Sequence, residues 1–355
     1  MKALPITVIR SIELLGLVLL ITVLYVGSSI IMPVLLSFFI SIMLLPVYRF
    51  FRKRKIPEIM SIILPILLLA LFLAVLVWFF SSQISVLISE FDQIKKNVGM
   101  HLEKLSKWIE SSFNYSATEQ TKFINEQSNN ILNSLGNILG GAMGSFSNFI
   151  IFFGLLPIYI FLMLFYKNLF LKFIFTWFRK EDHEKVKEGL KESEEIIKSY
   201  LLGLLIQITY MTILLGGLLL ILGIKHALLI GVIFAILNLI PYIGALFGNI
   251  IGVLLTLSSS QELSSVFTVL IVIAIVQFLD NNILMPRIVG SKVKINAFAA
   301  IIGVVIGGSV AGISGMFLAL PMIAVFKIIF DRTETLKHWG VLLADERPKD
   351  GENMI

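Results

Sequence analysis

In a chain dominated by apolar residues, chemistry has to come from the few polar side chains set inside apolar runs. In the second half these are Gln207, Asn238, Asn249, Gln277, Asp280, Asn281 and Asn282, with Arg287 just beyond. An ionisable group in a membrane segment is costly, so a functional role is its default reading. Asp280 is the sharpest case. It lies about six residues past the centre of the apolar run Leu263 to Met285, roughly 9 Å along a helix and still at the inner edge of the hydrocarbon. Arg287 follows seven positions later on the same helical face. Asp280 therefore reads in two ways: as a contact for a coupling ion or solute, or as half of a structural salt bridge or a helix-terminus cap.

Backbone groups can supply chemistry as well. Pro241, Gly244, Gly315 and Pro321 stand where helices must end or bend. A half-helix N-terminus exposed at such a break offers free N–H groups and the positive end of its dipole to an anion or polar ligand. Gly303 with Gly307, and Gly308 with Gly312, have the small-xxx-small spacing that lets helices pack closely.

Other chemistries lack their residues. The chain has no cysteine, which excludes disulfides, Cys-ligated zinc, iron–sulfur clusters and thiol nucleophiles. His101, His183, His226 and His338 are scattered singly and read as solvated or interfacial side chains rather than metal ligands. No HExxH, GxSxG, GxxxxGK[ST] or GxGxxG pattern occurs. Neither a cofactor nor a metal is expected, and the chain is not read as an enzyme.

The elements that position these residues follow from composition. Of 355 residues, 57% are hydrophobic and only 15% charged, and the mean hydropathy is +0.93. Such a chain is an all-α polytopic membrane protein, with the lipid bilayer as its first partner. The net charge of +6 falls mainly between apolar runs, where it sets orientation rather than binding nucleic acid.

Ile12 to Val26 and Ile30 to Tyr48 read as two antiparallel spans joined by Gly27-Ser28-Ser29, and the dense cluster Arg49, Arg52, Lys53, Arg54 and Lys55 places the next loop, and with it the N-terminus, in the cytoplasm. Ile59 to Phe80 is a third span. It leads into Ser81 to Ser145, an extracytoplasmic helical hairpin whose first helix, continuing from the span, carries an apolar stripe from Ile84 through Leu87, Ile94 and Val98 to Trp108. This hairpin reads as a packed cap or, alternatively, a binding module. Phe146 to Tyr166 returns, kinked at Pro157, and Phe170 to Ser199 suits an amphipathic helix along the cytoplasmic interface. By composition the domains are 1–80, 81–145, 146–200, a transport core 201–332 and a cytoplasmic tail 333–355.

The core holds a repeated unit. The uncharged stretch Ala227 to Gln261 is too long for one span and is interrupted at Asn238, Pro241, Tyr242 and Gly244; each half offers about 15 residues, some 22 Å, against roughly 30 Å of hydrocarbon. It follows the span Leu201 to Gly223. After the span Leu263 to Met285 comes a second such stretch, Ile295 to Phe326, interrupted by Gly307-Gly308-Ser309 and Gly312-Ile313-Ser314-Gly315. Two span-plus-broken-hairpin units in inverted orientation make about eight segments in all, and this is the architecture of secondary transporters. Four short, tilted helices that simply cross the bilayer are the alternative.

At these same residues the chain resembles the autoinducer-2 exporter family of bacterial permease-like membrane proteins. The matching stretches are Tyr200-Leu-Leu-Gly203 with Gln207, Leu237-Asn-Leu-Ile-Pro-Tyr-Ile-Gly244, Gln277-Phe-Leu-Asp-Asn-Asn-Ile-Leu-Met-Pro-Arg-Ile-Val-Gly290, and Gly312-Ile-Ser-Gly-Met-Phe-Leu-Ala-Leu-Pro321. Pro286 joins the pathway set through the third of these. Where many members read His-Pro after the conserved Val, this chain has Ile295-Asn296-Ala297, so no role of that histidine carries over. The resemblance implies an oligomeric transporter of the bacterial inner membrane, while Lys327, Arg332 and Lys337 after the second broken stretch place the C-terminus, like the N-terminus, in the cytoplasm. Some members resemble exporters of autoinducer-2 and others sodium/proton antiporters.

Three functions follow as expectations. The first is a secondary transporter or exporter of a small polar solute coupled to H+ or Na+, with a Na+(Li+)/H+ antiporter as its variant. The second is a passive channel, and the third a non-transporting membrane scaffold.

Overall fold

A computed structural model of the protein describes residues 5–113, 154–240, 243–284 and 295–345, and every regular element among them is helical. The helices α1 (Ile6–Val26) and α2 (Ser28–Lys53) meet at Gly27. Next come α3 (Glu58–Ser89) and α4 (Phe91–Phe113), then α5 (Gly154–Phe165) and α6 (Lys167–Trp177). The helix α7 (His183–Met211) passes through a π-helical turn, Thr212–Gly216, into α8 (Gly217–Ile221). The broken hairpin is α9 (Ala227–Leu237) and α10 (Ile243–Ser259). The remainder is α11 (Leu263–Leu279), a second π-helical turn at Asp280–Leu284, α12 (Ala297–Arg332) and α13 (Lys337–Leu343).

Five helical stretches among the described residues are long and apolar enough to cross a membrane: Ser28–Lys53, Glu58–Ser89, Lys180–Ile221, Leu263–Leu284 and Ala297–Arg332. The pair α5 and α6 makes a sixth if taken as one bent span. Large apolar side chains such as Leu67, Leu71, Trp78, Ile213 and Phe267 stand exposed along these helices, which is the surface a lipid-facing helix presents. The protein is a multi-pass α-helical membrane protein.

Several boundaries differ from the sequence reading. The third span and the amphipathic helix after it are separated at Glu90. The turn after α5 falls at Tyr166, where the chain bends by 62°, while Pro157 lies within the helix. Phe170 to Ser199 is not one interfacial helix: it is broken after Trp177, and its second part runs without interruption into the span that follows. The physical reason is that Tyr200, Leu201 and Leu204 pack in the interior just as Ile196 and Ile197 do, so no change of environment ends the helix at residue 200. The second helix expected in the outer hairpin, around Phe123 to Ile138, lies outside the described residues.

The chain divides into two compact units. The first comprises residues 1–66, 154–202 and 289–355. Its interior is built from Phe39, Met43 and Leu44 of α2, Ile62 of α3, Ile160 and Leu164 of α5, Ile197 of α7 and Leu318 of α12. Ile196 packs with Ala324 and Ile328. Around one end, Arg49 grips Glu194 through two hydrogen bonds of 2.6 and 3.1 Å, and Arg332 reaches Glu192 at 2.6 Å.

Within this unit α12 is the second broken hairpin. Its helix is interrupted at Ala311 (φ −143°, ψ 23°) and Gly312 (φ 59°, ψ −141°), and Gly312 occupies a left-handed conformation that disfavours any side chain. The two arms fold back on each other, because Gly303 lies against Ile323, Gly308 against Met316, and Gly307 against the backbone of Gly315. The small-residue spacing seen in the sequence is thus a packing device between arms of one hairpin. Asn296 starts this hairpin. Its Oδ1 accepts from the backbone N of Ala299 at 2.8 Å, an N-cap, while its Nδ2 donates to the carbonyls of Leu342 at 2.7 Å and Ala344 at 2.9 Å.

The second unit comprises residues 67–153 and 203–288. Met211, Leu215 and Leu219 pack with Ile230 and Phe234 of α9 and with Val269, Ile273 and Val276 of α11. A Cβ on Gly231 would stand 2.8 Å from the backbone of Gly216, so α9 lies against the π-helical turn at backbone distance. The arms α9 and α10 span roughly 16 and 25 Å at 1.5 Å per residue, so neither alone crosses 30 Å of hydrocarbon. They are antiparallel: Gly244 abuts the carbonyl of Leu237, Gly248 the ring of Phe234 and Gly252 Ile230.

Candidate functional site

The second unit brings Gln207, Asn238 and Asp280 together. Gln207 lies on α7, a continuous helix, and Tyr210 follows three residues later on the same face. Asn238 is the C-cap of α9, at the start of the elbow. Asp280 closes α11 at the first position of the π-helical turn. Such turns widen a helix locally and recur at functional sites.

Asp280 is 1% exposed. Its Oδ2 accepts from Gln207 Nε2 at 3.0 Å and from Asn238 Nδ2 at 3.1 Å, while its Oδ1 accepts from the hydroxyl of Tyr210. All three partners donate, which is the pattern an acceptor-only carboxylate requires. A hydrogen bond to a charged group contributes about 1.5–3 kcal/mol, and removing a carboxylate from water costs several kcal/mol, so three donors are on the scale needed to offset burial. The donors are neutral, and no Lys, Arg or His among the described residues forms an ion pair with Asp280. Among the described residues the carboxylate is held by neutral dipoles, with no cation paired to it.

Acceptors are in excess here. Gln207 Oε1 and Gln277 Oε1 are buried without a hydrogen-bond partner among the described residues, and Gln277 lies one turn before Asp280 on α11. Beside the carboxylate, Gln207 Oε1, unpartnered among the described residues, is open to a donor or a cation, and Gln277 Oε1 is a second such atom one turn away along α11.

The other expected residues fall elsewhere. Asn249 Nδ2 donates to the carbonyl of Ala245 at 2.7 Å, a bond within its own helix. Asn282 Nδ2 does the same to Phe278 at 2.8 Å, and both Asn281 and Asn282 are exposed. Gly244 sits at the start of α10 with no room for a side chain. Pro241, Tyr242, Pro286 and Arg287 lie outside the described residues, and with them the pairing of Asp280 with Arg287. Gly312, Gly315 and Pro321 belong to the first unit, where they shape α12.

Sequence reading missed four sets of residues. Tyr210 escaped because a tyrosine in an apolar helix is common, although its spacing from Gln207 placed it on the polar face. Gly248 and Gly252 continue the series from Gly244 at four-residue intervals and could have been read as the hairpin's inner face. Third, α4 holds the far end of the hairpin: Asn97 Nδ2 donates to the carbonyl of Ser258 at 2.7 Å, His101 Nε2 meets that of Ser260 at 2.8 Å, and Lys104 Nζ reaches that of Gln261 at 3.2 Å. The carbonyls that α10 leaves unpaired at its C-terminus are satisfied from outside. Ile94 and Val98, expected to serve the packing of the outer cap, instead pack with Leu87 on Leu229, with Ile233 and Leu255 alongside.

The fourth set lies at the hairpin's entry, where Glu90 bonds Lys225 at 2.8 Å and His226 at 3.1 Å. The Lys225 ammonium holds the Glu90 carboxyl below the usual carboxylate range, and burial pushes the His226 imidazole down. Of the histidines expected to be solvated or interfacial, His101 is buried and His226 half-buried, and both are hydrogen-bonded.

Comparison with known proteins agrees with this architecture. The description of AI-2E family transporters matches residues 14–335. YrrI of Bacillus subtilis (strain 168) is 25% identical over 309 residues, covering 85% of this chain and 86% of its own. YueF of the same organism is 28% identical over 324 residues, covering 85% and 84%. Both are provisionally named transport proteins. TqsA of Escherichia coli (strain K12), named an AI-2 transport protein, is 22% identical over 328 residues, covering 90% of each chain. From its helical membrane architecture and a match that runs over almost its whole length, the chain belongs to the AI-2E transporter family.

Proposed function

We propose that the protein is a secondary transporter of the bacterial inner membrane, moving a small polar solute coupled to H+ or Na+, with Asp280 as the group that takes up the ion. The observation that carries this is the buried carboxylate of Asp280, held by three neutral donors and without an ion-pair partner among the described residues, with the amide oxygen of Gln207 also left without a partner among them. A proton or Na+ bound there neutralises the buried charge and changes what the carboxylate can accept from Tyr210, Gln207 and Asn238. Those donors belong to α7 and the end of α9, and the acceptor to α11. Occupancy therefore bears directly on how three elements are held, and an ion that binds one arrangement better shifts the population toward it.

The name of TqsA makes autoinducer-2 the first solute to test. A Na+(Li+)/H+ antiporter would use the same carboxylate without an organic solute. The Arg49 to Lys55 cluster and the cations after α12 support cytoplasmic termini.

The experiment is flux into proteoliposomes under imposed H+ or Na+ gradients, with and without autoinducer-2. Asp280→Asn is expected to abolish gradient-driven flux while the folded protein persists. Unchanged ion-driven flux in that variant would end the assignment. Flux that is linear in solute and indifferent to either gradient would identify a passive channel instead.

A further inference from the structure

In the first unit, two features left unused by the Asp280 reading are joined at one end. The end of α2 and the turn after it present Arg52, Lys53, Arg54 and Lys55 consecutively, all exposed. The nearest acid in sequence, Glu58, is occupied by Lys167 at 3.3 Å. Of the four cations, Arg52 donates to the carbonyl of Ile56 at 2.8 Å and Arg54 stands over the Phe50 ring at 4.4 Å. Neither contact neutralises a charge.

The second feature is α6, which has no buried residue. Leu169, Phe170, Phe173 and Trp177 are exposed, the last by 76%. The polar residues Asn168, Lys172 and Thr176 recur at four-residue steps and so form one narrow face. The bend of 62° at Tyr166 turns α6 sharply away from the axis of α5. The two features are tied together at their near ends, because Lys167 Nζ donates to the hydroxyl of Tyr48 at 2.9 Å and lies 4.4 Å from its ring centroid.

An aromatic helix with one polar face at the end of a membrane helix sits at the boundary of headgroups and acyl chains. A block of four cations at its near end, none of which forms an ion pair among the described residues, complements an anionic headgroup. We infer that the α2–α3 turn and α6 together form a seat for an anionic phospholipid, with the phosphate on Arg52 to Lys55 and the acyl region against the apolar face of α6. The chemistry required is a phosphodiester bearing net negative charge and anchored by acyl chains. A zwitterionic lipid lacks the first and free phosphate the second.

The test uses the full-length chain reconstituted in phosphatidylcholine vesicles containing nitroxide-labelled phosphatidylglycerol or nitroxide-labelled phosphatidylcholine, read by electron spin resonance as the relative association of the two. Wild type is expected to prefer the anionic label, and Lys53→Gln with Lys55→Gln to lose that preference by about five-fold per cation removed at low salt. An unchanged preference in the double variant would overturn the seat, as would complete displacement of the label by millimolar inorganic phosphate. Because the chain has no cysteine, Trp177→Cys gives a single labelling site for a second reading. A fluorophore there should be quenched by nitroxide at headgroup depth. A disulfide forming between two copies at that position would show instead that a second protomer covers α6, and would equally overturn the proposal.

Discussion

The hydroxyl of Tyr210 donates to the carboxylate of Asp280 across 70 positions of sequence. With Gln207 and Asn238 it completes a shell of neutral donors around the one acid that is buried among the described residues. This bond ties the end of α7, just before its π-helical turn, to the first residue of the π-helical turn after α11.

Tyr210→Phe keeps the ring and removes only the donor. Loss of one hydrogen bond to a charged group is expected to cost about 1.5–3 kcal/mol, seen as a lowered thermal midpoint in detergent. Combined with Asp280→Asn, the two costs should fall well short of additive, because both changes act on one network. Additive costs would mean that the two residues do not share a bond.

The hairpin depends on missing side chains. Gly244→Ala drives a methyl group into the carbonyl of Leu237, and Gly248→Ala drives one into the ring of Phe234. Overpacking of this kind costs about 1–3 kcal/mol or more, the backbone contact at Gly244 being the less able to yield. Gly217, inside α8 with nothing within 4 Å of its added Cβ, is the control: Gly217→Ala should stabilise by about 0.5–1 kcal/mol. Thermal unfolding of the three variants side by side checks the order.

The clamp from α4 should be graded by burial. Ser258 is 3% exposed and Asn97 1%, so Asn97→Ala strands a buried carbonyl and is expected to cost about 1–3 kcal/mol. Lys104 and the carbonyl it reaches are exposed, so Lys104→Ala is expected to cost less than about 1 kcal/mol. Hydrogen exchange over residues 255–265 should rise strongly in the first variant and little in the second.

Acid should loosen the entry to the hairpin. His226 is pushed below its ordinary value by burial, so as the pH falls past about 6.5 the unfolded chain binds a proton that the folded chain resists, and stability is lost. Glu90 behaves differently. Its depressed value means that its contribution is fully present above the ordinary glutamate value and is lost only as the pH falls through the lower folded one. Between pH 7 and 5 the histidine dominates, so hydrogen exchange in residues 222–237 should rise over that range. His226→Asn should flatten the dependence, and a rise in protection on acidification would reverse the argument.

Much of the candidate site could be read before the fold, and the reason is energetic. A carboxylate or amide in a membrane helix is too costly to keep without a partner, so Asp280, Gln207 and Asn238 mark themselves by type alone. The same holds for the two interruptions. Gly312 takes a left-handed conformation that few side chains tolerate, and an uncharged stretch as long as Ala227 to Gln261 has to fold back. Family membership and the membrane architecture follow from the same patterns.

What only the tertiary structure decided is who answers each of these polar groups. Asn97 and His101 carry no mark in the sequence, and Tyr210 only its spacing from Gln207, because their value lies in reaching an atom brought close by other helices. In the case of Asn97 and His101 that atom is a backbone carbonyl, which every residue possesses. Asn296 likewise gives no sign in the sequence of its partners, and the structure alone shows it capping α12 and holding the end of α13. A polar group's cost of burial is written in its own side chain, whereas the hydrogen bond that offsets that cost is a matter of distance and direction, set by the packing of residues far away in sequence.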